Sequence, residues 1–213
     1  MVKKGRVIIF KGGVIIFIVA VLHAVSVGKV FPSDVTEGLK GTISKVIEIV
    51  SNKDLKQPDK KEERQRLLRE VIKERFDFEE MSNRSLATHW KERTSEEKRE
   101  FIEIFSNLLE NSYVDKIESY TDEEVVYTGE SVEGDYAVVK TNIIKKVGEG
   151  IPIDYKLIKT TKNGNKWMVY DFTIEGVSMV NNYRSQFNKI IRSSSYEELV
   201  KKMKTKREDI SLE

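Results

Sequence analysis

Side chains able to carry hydrolytic or redox chemistry are scarce in this sequence. Its two histidines are His23 and His89, and it has no cysteine. Thiolate metal sites, Cys-His nucleophiles and disulfide frameworks are therefore excluded, and any metal site would rest on carboxylates almost alone. His89, beside Trp90 near a helix end, could join a Ser-His-Asp arrangement by spacing, but neither a nucleophile elbow nor a phosphate-cradling glycine loop accompanies it. A packing or surface role is the simpler reading of His89. Asp171 and Glu175 flank a strand end, where positions four apart share a face at roughly 13 Å, too far for an acid/base pair. Asp171 is expected to accept hydrogen bonds inside the fold and Glu175 to cap the following turn. Arg184 is expected either to grip an anionic headgroup or to pair with an acid such as Asp171. No catalytic residue, cofactor or metal is expected.

What the chain does concentrate is aromatic and thioether surface, most densely from Trp167 to Phe187. That stretch reads as a strand, a corner at Gly176 and a helix, with Val177, Val180, Tyr183 or Arg184, Phe187, Ile190 and Ile191 at helical spacing. If Tyr170, Phe172 and Ile174 share one strand face, Val177, Met179, Tyr183 and Phe187 continue an apolar wall around the corner, while Trp167, Val169 and Asp171 face the other way. Such a wall suits either a filled core or a ligand cavity, and tyrosine and methionine suit an adaptable pocket with a wet mouth.

The elements that would hold this wall follow from periodicity. Val35, Leu39, Ile43, Val46, Ile47 and Val50 make an amphipathic helix capped by Ser33 or Asp34. A polar connection with Pro58 leads to a charge-dense helix with a narrow stripe of Leu67, Leu68, Val71, Ile72 and Phe76, its charges read as a solvated face. Asp77 to Glu80, Thr94 to Glu97 and Ser195 to Glu198 spell capping boxes that start three further helices, the middle one carrying Phe101, Phe105, Leu108 and Leu109. Between residues 124 and 174 the period falls to two in four runs, Glu124 to Thr128, Tyr136 to Lys145, Ile153 to Thr161 and Lys166 to Ile174. No crossover helix separates these runs, so an antiparallel meander is expected. The fold class is therefore α+β: N-terminal helices on a curved antiparallel sheet of about four strands, closing helices at the C-terminus and an internal apolar cavity.

Residues 1–26 have the layout of an export signal, with Lys3, Lys4, Arg6 and Lys11 before the uncharged run Val14 to Leu22 and small residues after it. An uncleaved anchor is the alternative. Residues 27–213 form a single expected domain outside the cytoplasm. Without the four leading cations it carries 33 basic and 35 acidic residues, so no nucleic-acid-binding surface is indicated. The C-terminal Lys201, Lys202, Lys204, Lys206 and Arg207 could dock on anionic headgroups or simply solvate a helix end.

The string Phe76 to Met81, Trp90, Phe101 to Phe105, Trp167, Tyr170-Asp171, Glu175 to Met179 and Tyr183 to Phe187 resembles the MlaC-type periplasmic phospholipid-binding proteins, also called the toluene-tolerance family. The resemblance spans about residues 34–207. It implies a non-enzymatic periplasmic carrier that shuttles phospholipid between an outer-membrane lipoprotein complex and an inner-membrane ABC transporter complex containing a substrate-binding-domain ring. The lining it implies comprises Phe76, Met81, Leu86, Trp90, Phe105, Leu109, Tyr113, Tyr155, Tyr170, Phe172, Ile174, Val177, Met179, Tyr183 and Phe187, with Arg184 near the headgroup. An envelope interaction domain with a filled core, or a small-molecule enzyme on a cone-shaped scaffold, are the alternatives.

Overall fold

In the computed structural model, which describes residues 33–120, 123–145, 148–161 and 164–205, the expected periodicities become helices first, an antiparallel sheet next and two closing helices. The proposed leader, Lys206 and Arg207 lie outside the described residues. Among the described residues no helix is long and apolar enough to cross a membrane.

Helix α1 (Asp34–Ser51) is capped by the Ser33 hydroxyl, which accepts from Val35 N, and buries Val35, Leu39, Thr42 and Val50. After a short 3-10 turn come α2 (Lys61–Lys73), α3 (Phe78–Leu86), a second 3-10 turn through Trp90, and the long α4 (Ser95–Glu118). The capping spellings are used as written: Asp77 accepts from Glu80 N at 2.9 Å, while Thr94 and Glu97 bond each other's backbone N–H groups at 2.7 and 3.2 Å. Ser195 accepts from Glu198 N at the start of α6 (Tyr196–Thr205).

The sheet runs in the order β1 (Glu124–Glu133), β2 (Tyr136–Ile144), β3 (Ile151–Thr160), β4 (Lys166–Ile174), β5 (Val177–Ser178), every pair antiparallel. Two features exceed the expected meander. Strand β1 continues past Thr128 through a bulge to Glu133, although Gly129, Glu130 and Ser131 lack strand-like side chains. The Glu175-Gly176 corner, both residues at positive φ, folds Val177–Ser178 back on β4 before α5 (Met179–Ser193) begins. Glu175 consequently starts a hairpin turn, and the cap of α5 is Ser178, whose hydroxyl accepts from Asn181 N at 3.1 Å.

The free edge of β4 is covered twice. Besides β5, the link between α2 and α3 runs along it, with Val169 N donating to the Arg75 carbonyl at 2.8 Å and Asp77 N donating to the Val169 carbonyl at 2.9 Å. An otherwise open row of backbone groups is thereby satisfied.

Candidate functional site

Registry decides which side chains meet. In antiparallel pairing, opposed residues share a face, so Tyr127, Val139, Tyr155, Leu157 and Val169 lie on one side of the sheet. Strict alternation would then send Phe172 to the other side. Instead Lys156 opposes Asp171 and Leu157 opposes Val169, which leaves Tyr170 as the extra residue of a bulge. Phe172 and Ile174 thus share their face with Trp167 and Val169, and the separation of these two groups expected from the sequence does not hold. Tyr170 leaves the set: its ring lies 6.0 Å from Tyr136 and 4.1 Å from the Arg84 guanidinium.

The expected lining residues divide into two environments. Met81, Leu86, Phe105, Leu109, Met179, Tyr183 and Phe187 expose at most 4% of their surface. All but Met179 belong to a cluster in which α3, α4, α5 and α6 close on one another. Phe105 meets Tyr183 at 5.2 Å and Phe187 at 5.4 Å, both nearly edge-on, the arrangement that the quadrupoles of the rings favour. Burial raises the Tyr183 hydroxyl above its ordinary pKa, against the Ser112 hydroxyl that lowers it.

A second cluster packs Val35 and Leu39 of α1 on Ala137, Val139, Leu157 and Val169 of the sheet, with Tyr127, Tyr155 and Trp167 at its margin. Phe76 touches both clusters. From it a row of rings marks the seam between them: Phe76 to Phe172 at 6.1 Å, and Phe172 to Tyr113 at 5.5 Å, both edge-on. The Tyr113 hydroxyl donates to the Met179 sulfur, tying the row to α5. All three rings, and Tyr155, keep partial accessibility. Tyr155 is informative because it sits in the middle of β3, where burial drives its hydroxyl far above the ordinary range, with Tyr127 adding to the shift. Tyr127, which the sequence reading missed, has a buried hydroxyl without a hydrogen-bond partner, pushed up to about 12 by burial and then by Glu37. Its place on the shared face could be found only from the β1–β2 register.

The remaining expected residues stand apart from the seam. Trp90 packs beside the helical cluster with the Lys98 ammonium 5.4 Å from its ring. Val177 is 51% exposed on β5, and Ile174 lies at the β4–β5 end of the shared face. Arg184 donates through Nε to the Arg84 carbonyl at 2.8 Å, joining α5 to the end of α3.

Polar groups lock the edges of this arrangement. Asp171, 4% exposed, accepts from Lys156 Nζ at 2.9 Å, Ser178 Oγ at 2.7 Å and Val180 N at 3.1 Å. A carboxylate at the first turn of α5 also meets the positive end of the helix dipole. The expected internal role of Asp171 is thus observed, with named partners. His89 contacts Asn188 Oδ1 at 3.2 Å through Nε2 and lies 3.8 Å from Glu92. Among the described residues no three His, Asp or Glu side chains converge as a metal site. An open groove of about 520 Å³ includes Phe76 in its lining, with the apolar Phe78, Ile102 and Met168 and the polar or charged Lys73, Asp77, Glu79, Arg99, Glu103, Ser106 and Thr160.

Comparison with known proteins agrees with this architecture. The family model described as MlaC protein matches residues 40–205. The Haemophilus influenzae intermembrane phospholipid transport system binding protein MlaC is 26% identical over 129 residues, 59% of this chain and 60% of its own length. The match therefore spans about three fifths of that curated relative. The solved structure of a phospholipid-binding protein from Ralstonia solanacearum, in complex with a phospholipid, superposes with a TM-score of 0.72 at 23% identity, covering 82% of this chain and 97% of that one. That likeness establishes the fold.

Proposed function

The chain belongs to the MlaC protein family, and on that premise we propose that it is a non-enzymatic carrier of phospholipid that holds acyl chains along the seam between its two apolar clusters. The observation that carries this reading is the partly accessible row Tyr113, Phe172, Phe76, together with Tyr155, set where the two apolar clusters meet. The Haemophilus relative, a phospholipid transport system binding protein, and the Ralstonia neighbour, a phospholipid-binding protein, support it.

Energetics explain why a carrier is needed and why no covalent chemistry is. At about 0.8 kcal/mol per methylene, two acyl chains with roughly 14 buried methylenes each are worth some 20 kcal/mol against water. A lipid therefore does not cross an aqueous gap unaided. A protein that matches the burial a bilayer provides exchanges lipid with little net change in free energy, and direction comes from a partner. We assign residues 1–26 to export, the periplasm as the working compartment, and an outer-membrane lipoprotein complex and an inner-membrane ABC transporter complex as the exchange partners.

Mass spectrometry of organic extracts from protein purified without detergent tests the reading. Phospholipid near stoichiometric amounts is the expected result. A reproducibly empty preparation from envelope-containing cells would leave the filled-core interaction domain as the better account.

A further inference from the structure

Arg75 lies between α2 and the Phe76 that touches both clusters. Its guanidinium turns toward α1, where Nε donates to Thr42 Oγ1 at 3.2 Å, and Nη1 donates to the Trp167 carbonyl at 2.8 Å. Both acceptors are neutral. The adjacent carboxylate, Glu74, is exposed and paired with Lys45 Nζ at 3.1 Å. Among the described residues Arg75 has no carboxylate within ion-pair distance, and desolvation lowers its pKa from the ordinary value. Helix α1 is notched to admit it: a Cβ on Gly38 would stand 3.1 Å from Nη1 and 3.2 Å from Nη2.

A guanidinium offers five N–H donors in a rigid fork, and the bonds to Thr42 and the Trp167 carbonyl use two of them. Partly removing such a charge from water without a counter-anion is unfavourable, and its planar fork matches phosphate oxygens in a way that an ammonium does not. The neighbouring Phe76 begins the accessible row of rings, so an anion on Arg75 would sit where apolar chains enter the seam. We propose that Arg75 receives the phosphodiester of the carried lipid, with Thr42 and the Trp167 carbonyl orienting the guanidinium. This assignment rests on the carrier function above. A purely structural role, stapling α1 to β4, is its competitor.

The two are separated by lipids that share acyl chains and differ in phosphate. Full-length wild type, Arg75→Gln and Arg75→Lys, each stripped of lipid and checked for folding by thermal melting, are incubated with phosphatidylglycerol/phosphatidylcholine vesicles with or without dioleoylglycerol. The reisolated protein is then analysed by mass spectrometry. Arg75→Gln is expected to retain about tenfold less phospholipid, the scale of losing a charge-assisted hydrogen bond, with dioleoylglycerol uptake unchanged and Arg75→Lys between the two. Equal losses of both lipids, or no loss of either, would overturn the assignment in favour of a staple. Inorganic phosphate at about 10 mM that raises the melting temperature of wild type but not of Arg75→Gln, with phospholipid uptake equal in both, would instead make this a free-anion site and equally overturn it. Wild type that retains neither lipid would defeat the carrier reading itself.

Discussion

Phe105, Tyr183 and Phe187 on one side, and Phe76, Tyr113 and Phe172 on the other, are the same kinds of side chain at similar ring separations. The first three expose at most 2% of their surface and the second three all remain partly accessible. Enclosure makes the difference. Phe105, Tyr183 and Phe187 stand among α3, α4, α5 and α6, whose side chains interdigitate. Phe76, Tyr113 and Phe172 are packed at the margin of the helical cluster, and Phe76 also touches the one packed on the sheet. Aromatic content therefore does not separate core from pocket, whereas the completeness of the surrounding shell does.

Substitutions at the two places should differ accordingly. Phe187→Ala is expected to cost about 3–5 kcal/mol, because a closed shell relaxes little around a cavity, and denaturant unfolding measures it. A cost below about 1 kcal/mol would erase the distinction from the closed side. Asp171→Ala, which leaves Lys156, Ser178 and Val180 N without their acceptor, should cost about 3 kcal/mol by the same measurement. Phe172→Ala should lose less than half as much stability as Phe187→Ala while lowering retained phospholipid. If the ranking of the two phenylalanines reversed, Phe172 would belong to the core. Val177→Ser, at an exposed site, should stay within about 0.5 kcal/mol of wild type.

A further small effect is a pH-dependent one beside the closed cluster. Glu110 of α4 is buried, with Lys73 Nζ 3.9 Å away, and burial raises its pKa above the ordinary value against the opposing charges of Lys73 and Arg69. A carboxyl whose folded pKa is raised favours the folded state while protonated, and that contribution is lost as pH rises through the folded value. Glu110→Gln should therefore raise the melting temperature at neutral pH, by up to about 2 °C, with the gain vanishing below the unfolded glutamate range. A gain that persisted at low pH would show that repacking, and not charge burial, was responsible.

Much of the scaffold was legible because local spellings and long-range packing agree. Ser33, Asp77, Thr94 and Ser195 cap where their sequences say they should. Alternation of Ala137, Val139 and Thr141 gives the buried face of β2. The site was less legible because registry is a property of strand pairs. Trp167 to Phe172 reads as unbroken strand, so nothing in it announces the extra residue at Tyr170. Polarity misleads in the other direction. The stretch 53–75 reads as a solvated face, yet Arg64 is sheltered against Glu118 at 2.9 Å and Arg75 turns inward to Thr42 and the Trp167 carbonyl. Arg184, expected to grip an anionic headgroup or to pair with an acid such as Asp171, donates through Nε to the Arg84 carbonyl, since the end of α3 lies within its reach.

The bulge at Tyr170 also bears on how this chain tolerates insertions and deletions. Losing Tyr170 would leave Val169 and Asp171 as neighbours opposite Leu157 and Lys156, so simple alternation would keep Phe172 and Ile174 on their present face, whereas flattening the bulge without losing a residue would carry them to the opposite one. An alignment would record such a deletion as a gap in a strand, although the pairing of Leu157 with Val169 and of Tyr155 with Phe172 survives it. In this strand the bulge and the chain length are matched: a homologue one residue shorter between Val169 and Phe172 would present the same surface to the seam through regular pairing, and one of equal length without the bulge would turn Phe172 away from it.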